Sequence, residues 1–63
     1  MKGTVKWFNE GKGYGFVEGE DEKEYFVHIS ALGEGVSLRE GDSVNFEPSK
    51  TDRGLQATNV TLE

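Results

Sequence analysis

Four side chains able to lie flat against an aromatic ligand fall in two short stretches of this chain. Tyr14 and Phe16 belong to Lys12-Gly13-Tyr14-Gly15-Phe16-Val17, and Phe26 and His28 to Tyr25-Phe26-Val27-His28-Ile29. In a β-strand successive side chains point to opposite faces, so each pair shares one face. Gly15, Val17, Tyr25 and Val27 then turn the other way, toward a core. The polar, glycine-bearing stretch Glu18-Gly19-Glu20-Asp21-Glu22-Lys23-Glu24 lies between them and predicts a hairpin. Cross-strand neighbours sit about 5 Å apart, the spacing of rings that each take one unstacked base. An all-core reading of these rings fails, because a small barrel cannot bury both faces of its strands.

Stacking on a nucleic-acid strand needs rings, a few cations and some polar groups. Lys6 and Lys12 flank the rings directly, and Arg53 lies in the last loop. Asn9 and Gln56 either touch bases or cap turns; the pattern alone leaves this open. Catalytic readings find little support. The one histidine has no cysteine near it and no triad partner, and the carboxylates cluster in one loop. No catalytic residue, metal or cofactor is expected, and no small-molecule substrate.

The elements that must position these side chains follow in order. Thr4–Asn9 reads as a first strand with Val5 inward and Lys6 outward. Adjacent Trp7 and Phe8 break the alternation, and a bulge there brings both rings toward one rim. Pattern alone assigns Trp7 to the core. Strand two runs from Tyr14 to Glu18 and strand three from Glu24 to His28. Ile29–Leu32 is too short for an α-helix and predicts one 3₁₀ turn. A long glycine-punctuated connection over 33–42 leads to strand four, Ser43–Glu47, with Phe46 in the core. Pro48 is expected to end the ladder, since it has no N–H to donate. Leu55–Leu62 forms strand five, with Ala57 inward. Five short antiparallel strands with regular turn signals predict a closed barrel, all-β.

The 63 residues suffice for one domain of modest stability, residues 1–63. No apolar run approaches the roughly 20 residues of a membrane span, and the N-terminus lacks a secretory h-region. The absence of cysteine fits a reducing compartment, so a soluble cytoplasmic protein is the default, and a monomer is expected. Net charge is −5, with twelve acidic residues against seven basic. That sign opposes a protein that grips phosphate mainly by charge. Five of the acids fall in 18–24, a loop free to point away from the rings. Weak salt dependence, rather than no binding, is the expectation.

Lys12–Val17 and Tyr25–Ser30 resemble the two ribonucleoprotein motifs of bacterial-type cold-shock proteins. Lys6-Trp7-Phe8-Asn9, the Gly33-Glu34-Gly35 loop and Gln56–Val60 agree, so the resemblance is collinear over essentially the whole chain. It implies a five-stranded oligonucleotide-binding barrel. It also implies sequence-tolerant binding of single-stranded RNA, and of ssDNA in vitro, in the manner of an RNA chaperone. Position by position it implies roles for Lys6, Trp7, Lys12, Tyr14, Phe16, Phe26, His28 and Arg53. It adds Glu24, as a carboxylate accepting from a base edge. The chain departs from the family at Ile29 and Val36, where phenylalanines are usual, and at Leu55, where proline is. Tyr25 replaces an inward valine, and its hydroxyl must find a partner. These departures predict a shorter or weaker footprint with the centre of the platform intact. The competing function is an SH3-like barrel whose exposed rings dock extended or proline-rich peptides.

Overall fold

Residues 1–33 and 35–63 are described by a computed structural model; Glu34 of the expected glycine loop lies outside them. Five strands form, β1 Lys2–Asn9, β2 Tyr14–Gly19, β3 Glu24–His28, β4 Ser43–Thr51 and β5 Gly54–Leu62. One 3₁₀ turn, Ile29–Ala31, follows β3. The strands close into a barrel in the order β1-β2-β3-β5-β4. Closure pairs most of the sheet's edges and leaves the stretch of β4 beyond Phe46 free on one side.

The barrel is mixed rather than wholly antiparallel. β3 and β5 run parallel and are joined at one register pair, Phe26↔Gln56, while the other four pairings are antiparallel. The connection from β3 crosses the barrel to β4, so β5 returns alongside β3 in the same direction. Turn spacing carries no trace of that seam.

Alternation decides the core. Gly15, Val17, Tyr25 and Val27 are buried, with Val5, Val44, Phe46, Ala57 and Val60 from the other strands. Leu38 joins them at 2% exposure. With Val36 as the one other apolar residue in a polar, glycine-punctuated connection, it has too short a pattern to announce it. Its segment is tied down where Val5 N–H donates to the Asp42 carbonyl and Gly41 N–H to the Val5 carbonyl. Val36 is half-buried against the same core.

Pro48 does not end β4. It pairs with Ala57, and the ladder runs on to Thr51 opposite Gly54. β1 pairs with β4 only over Ser43–Asn45, and Met1 adds backbone bonds at Phe46. Beyond Phe46 one side of β4 is unpaired, which is where a strand tolerates a residue without an N–H. β1 begins at Lys2 rather than Thr4 because Lys2 and Gly3 find partners in Asn45 and Val44.

Candidate nucleic-acid interface

The β2–β3 register places Tyr14 opposite His28, Phe16 opposite Phe26 and Glu18 opposite Glu24. On the other side of β2, Trp7 lies opposite Phe16. Between the Val5↔Val17 and Trp7↔Phe16 pairs, Lys6 is an extra residue, a β-bulge. The bulge turns Lys6 and Trp7 both outward. Phe8 instead packs against the core, so the expectation that Trp7 and Phe8 share a rim is corrected. One inserted residue rotates the alternation by one position, and Trp7, 41% exposed, escapes the core.

The four outer rings then form a circuit. Trp7 stands 5.6 Å from both Tyr14 and Phe16, Tyr14 is 5.8 Å from Phe26, and Phe16 is 5.7 Å from Phe26, centroid to centroid. Each ring is held by two ring neighbours while one surface stays open. Gly15 makes this approach possible. A Cβ there would lie 2.3 Å from the Trp7 carbonyl oxygen and 2.6 Å from Phe8 Cα. Its role is therefore close packing of β1 on β2 from the inner face. Gly13, at φ +80, makes the turn into β2. Asn9 caps that turn, its Oδ1 accepting from Lys12 N–H at 3.0 Å.

Charges border the circuit. Lys6 Nζ meets Glu24 Oε1 at 2.5 Å. The Glu24 carboxylate, by hydrogen bond and then by charge, holds the Lys6 ammonium above its ordinary value, with a smaller contribution from Glu18. Glu18 and Glu24 extend the face that carries Phe16 and Phe26, so the acidic stretch does not point wholly away from the rings. Only Glu20, Asp21 and Glu22 belong to the turn itself. Lys12 is exposed beside Tyr14.

Arg53 is brought to the rings by the turn between β4 and β5. It lines a groove of about 340 Å³ with Phe16, Glu24, Phe26, Leu55 and Gln56. Leu55 and Gln56 enter the site through the parallel seam, which sequence reasoning missed as a neighbour of Phe26. His28 is exposed at the other end of β3, its Nδ1 bonded to the Ser30 N–H at 3.1 Å. Ile29 is 47% exposed beside Gly13, an aliphatic surface where a further ring is absent.

On the inner face, the Tyr25 hydroxyl donates to Asp21 Oδ2 at 2.6 Å. That bond holds the Asp21 carboxyl below its usual range and the Tyr25 phenol above its own. Asp21 also accepts from Lys23 N–H, and Gly19 N–H bonds the Lys23 carbonyl. The acidic turn is thus built rather than loose.

A closed five-stranded barrel with an open ring cluster across three adjacent strands defines an oligonucleotide-binding fold. The family described as 'Cold-shock' DNA-binding domain matches residues 1–63, and the chain belongs to it. It is 59% identical over 61 residues to Cold shock protein CspA of Staphylococcus saprophyticus, covering 94% of this chain and 92% of that protein. It is 55% identical over 60 residues to Cold shock protein 1 of Lactiplantibacillus plantarum, covering 92% and 91%. The solved structure of drosophila Unr CSD456 shares the fold, with a TM-score of 0.74 at 23% identity. It is matched by 98% of this chain, which spans 26% of that one. The chain is thus a nucleic-acid-binding domain, and among the described residues no helix is long and apolar enough to cross a membrane.

Proposed function

We propose that residues 1–63 act as one non-catalytic domain that takes single-stranded RNA or DNA by stacking its bases on Trp7, Tyr14, Phe16 and Phe26. The circuit of four rings with an open face carries this reading. Stacking is worth about 1–3 kcal/mol per base and tolerates every base, since each has a π-face. His28 extends the row past Tyr14. Lys12 and Arg53 follow the phosphates, and Glu24 with Lys6 meets base edges beside Phe16. Holding the unpaired form shifts the strand's folding equilibrium by mass action. No cofactor or energy source enters that step. The relatives are named for cold shock, and the reading extends to a cytoplasmic monomer acting as an RNA chaperone under that stress.

Trp7 is the single tryptophan and sits in the circuit, so its fluorescence tests the reading. Hexathymidylate should quench it saturably, and a matched duplex should not. Saturation by a proline-rich peptide with no response to the oligonucleotide would transfer the site to the peptide-binding function.

A further inference from the structure

His28 does more than offer a ring. It precedes the 3₁₀ turn Ile29–Ala31 and caps it, with Nδ1 accepting from the Ser30 backbone N–H at 3.1 Å. The Ser30 hydroxyl Oγ lies on the same nitrogen at 2.9 Å. A backbone amide can only donate, so Nδ1 must present its lone pair to it. The proton of the neutral imidazole then sits on Nε2. This is a consequence of hydrogen-bond polarity, since each ring nitrogen's role is set by the partner of the other. With Nδ1 occupied, Nε2–H is the polar group the ring has left to offer. His28 is exposed, stands opposite Tyr14, and borders a recess of about 230 Å³ with Phe26 and Gln56. An N–H donor at the edge of a stacking surface suits a ligand oxygen, either a phosphate or a base carbonyl.

We propose that Ser30 is a positioning residue that fixes the His28 imidazole as an outward Nε2–H donor to an oxygen of the bound strand. The proposal rests on the single-strand reading above. Ser30 holds no ring and no charge; it lines the same recess as His28, and the proposal assigns its effect to the histidine it orients. His28 thereby contributes direction as well as area: the cap sets the ring plane, and the plane aims the N–H.

The protein labelled with ¹⁵N-histidine gives the first readout, without ligand. For the neutral ring its spectrum should show one tautomer, with the proton on Nε2 and Nδ1 as acceptor; a neutral tautomer with the proton on Nδ1 overturns the proposal. Binding of hexathymidylate gives the second. His28→Phe keeps a stacking ring and removes the donor, and should bind about 3- to 10-fold more weakly. Binding as tight as the unaltered protein makes the contact stacking alone and overturns the donor role. Ser30→Ala removes the hydroxyl and leaves the backbone amide on Nδ1. It should keep the tautomer while weakening binding and altering the imidazole ¹⁵N shifts through a less firmly held ring. Ser30→Thr, which keeps the hydroxyl, should restore both. In the His28→Phe background Ser30→Ala should cost nothing further; an equal cost in both backgrounds means that Ser30 acts independently of His28. A methylphosphonate hexathymidylate locates the oxygen. A smaller His28→Phe effect with it assigns a phosphate, whereas an unchanged effect with it that vanishes on a difluorotoluene hexamer, whose bases stack but carry no carbonyl, assigns a base carbonyl. Failure of the unaltered protein to bind any single strand sinks the single-strand reading, whereas the unliganded spectrum tests the Ser30–His28 contact by itself.

Discussion

The two faces of the β2–β3 hairpin are built from similar residues and serve opposite ends. Outward, Tyr14, Phe16 and Phe26 keep ring surface half-exposed, and Trp7 of β1 joins them. Inward, Tyr25 is 3% exposed with its ring 5.0 Å from that of Phe46, and Val17 and Val27 are fully buried. Tyr14 and Tyr25 make the contrast within one residue type. The first packs edge-on against Trp7 at the surface. The second spends its hydroxyl on Asp21, tying the acidic turn to the core. An aromatic ring can therefore stabilise the barrel or await a ligand, and pleat parity decides which. Stability should follow the inner face and affinity the outer.

The largest effect expected is on the inner face. Phe46→Ala removes the ring against Tyr25 and should cost about 3–5 kcal/mol, enough to unfold much of a domain this small. Urea denaturation measures it. A loss below about 1 kcal/mol would mean that the inner face is not the core it looks to be.

Next come the outer rings. Phe16→Ala and Phe26→Ala should each weaken oligonucleotide binding by about 1–3 kcal/mol while the folded state persists. Titration of Trp7 fluorescence beside a melting curve separates the two quantities. Equal losses in both would erase the division between faces.

Tyr25→Phe probes the inner face's polar contact through pH. Asp21 is held below its ordinary value chiefly by the Tyr25 hydroxyl. A carboxyl depressed in the folded state adds stability that is present above its unfolded pKa and lost as pH falls through the folded one. Removing the hydroxyl should therefore lower stability at neutral pH and flatten its decline in acid. The phenol is shifted upward by the same bond, so its contribution is complete below the ordinary tyrosine value and fades in alkali. Melting temperatures of both proteins from acid to alkaline pH are the measurement, and parallel curves would remove the bond from the account.

The smallest effect belongs to the pair at the end of the outer face. Both Lys6 and Glu24 are well exposed, so their attraction adds little to folding. Its consequence is for binding, because a lysine held by a carboxylate is withheld from phosphate. Glu24→Gln should steepen the salt dependence of single-strand binding by about 0.7 in log–log slope, the value of one added phosphate contact. Glu22→Gln, in the turn and outside any ion pair among the described residues, controls for net charge. Equal slopes in the two variants would leave Lys6 free of Glu24 in solution.

Much of this was legible because parity is a local property. Tyr14, Phe16, Phe26 and His28 share a face through spacing alone, and Val17, Tyr25, Val27, Phe46 and Ala57 lie inward as the alternation requires. Adjacent Trp7 and Phe8 announce a bulge, but only the register places it at Lys6, where it inverts the positions of β1 after it and sends Trp7 and Phe8 to opposite faces. Trp7 therefore reached the outer face through resemblance rather than pattern. Pro48 looked like a stop because its missing N–H matters only on a paired side, and which side is paired is a fact of the sheet. Leu38 and Val36 looked like loop residues until the connection over 35–42 was laid against the core.

By itself the sequence determined the hairpin, the alternating faces, the rings on one of them and the short cationic flanks. Those are consequences of neighbours a few residues apart. Tertiary structure alone decided the parallel seam that brings Arg53, Leu55 and Gln56 beside Phe26, and the meeting of Lys6 with Glu24. It also set the ring of His28 against Ser30, where backbone geometry chooses which nitrogen accepts. The division follows from the forces involved. Pleat parity is encoded residue by residue, whereas register, closure and hydrogen-bond direction exist only once distant strands have met.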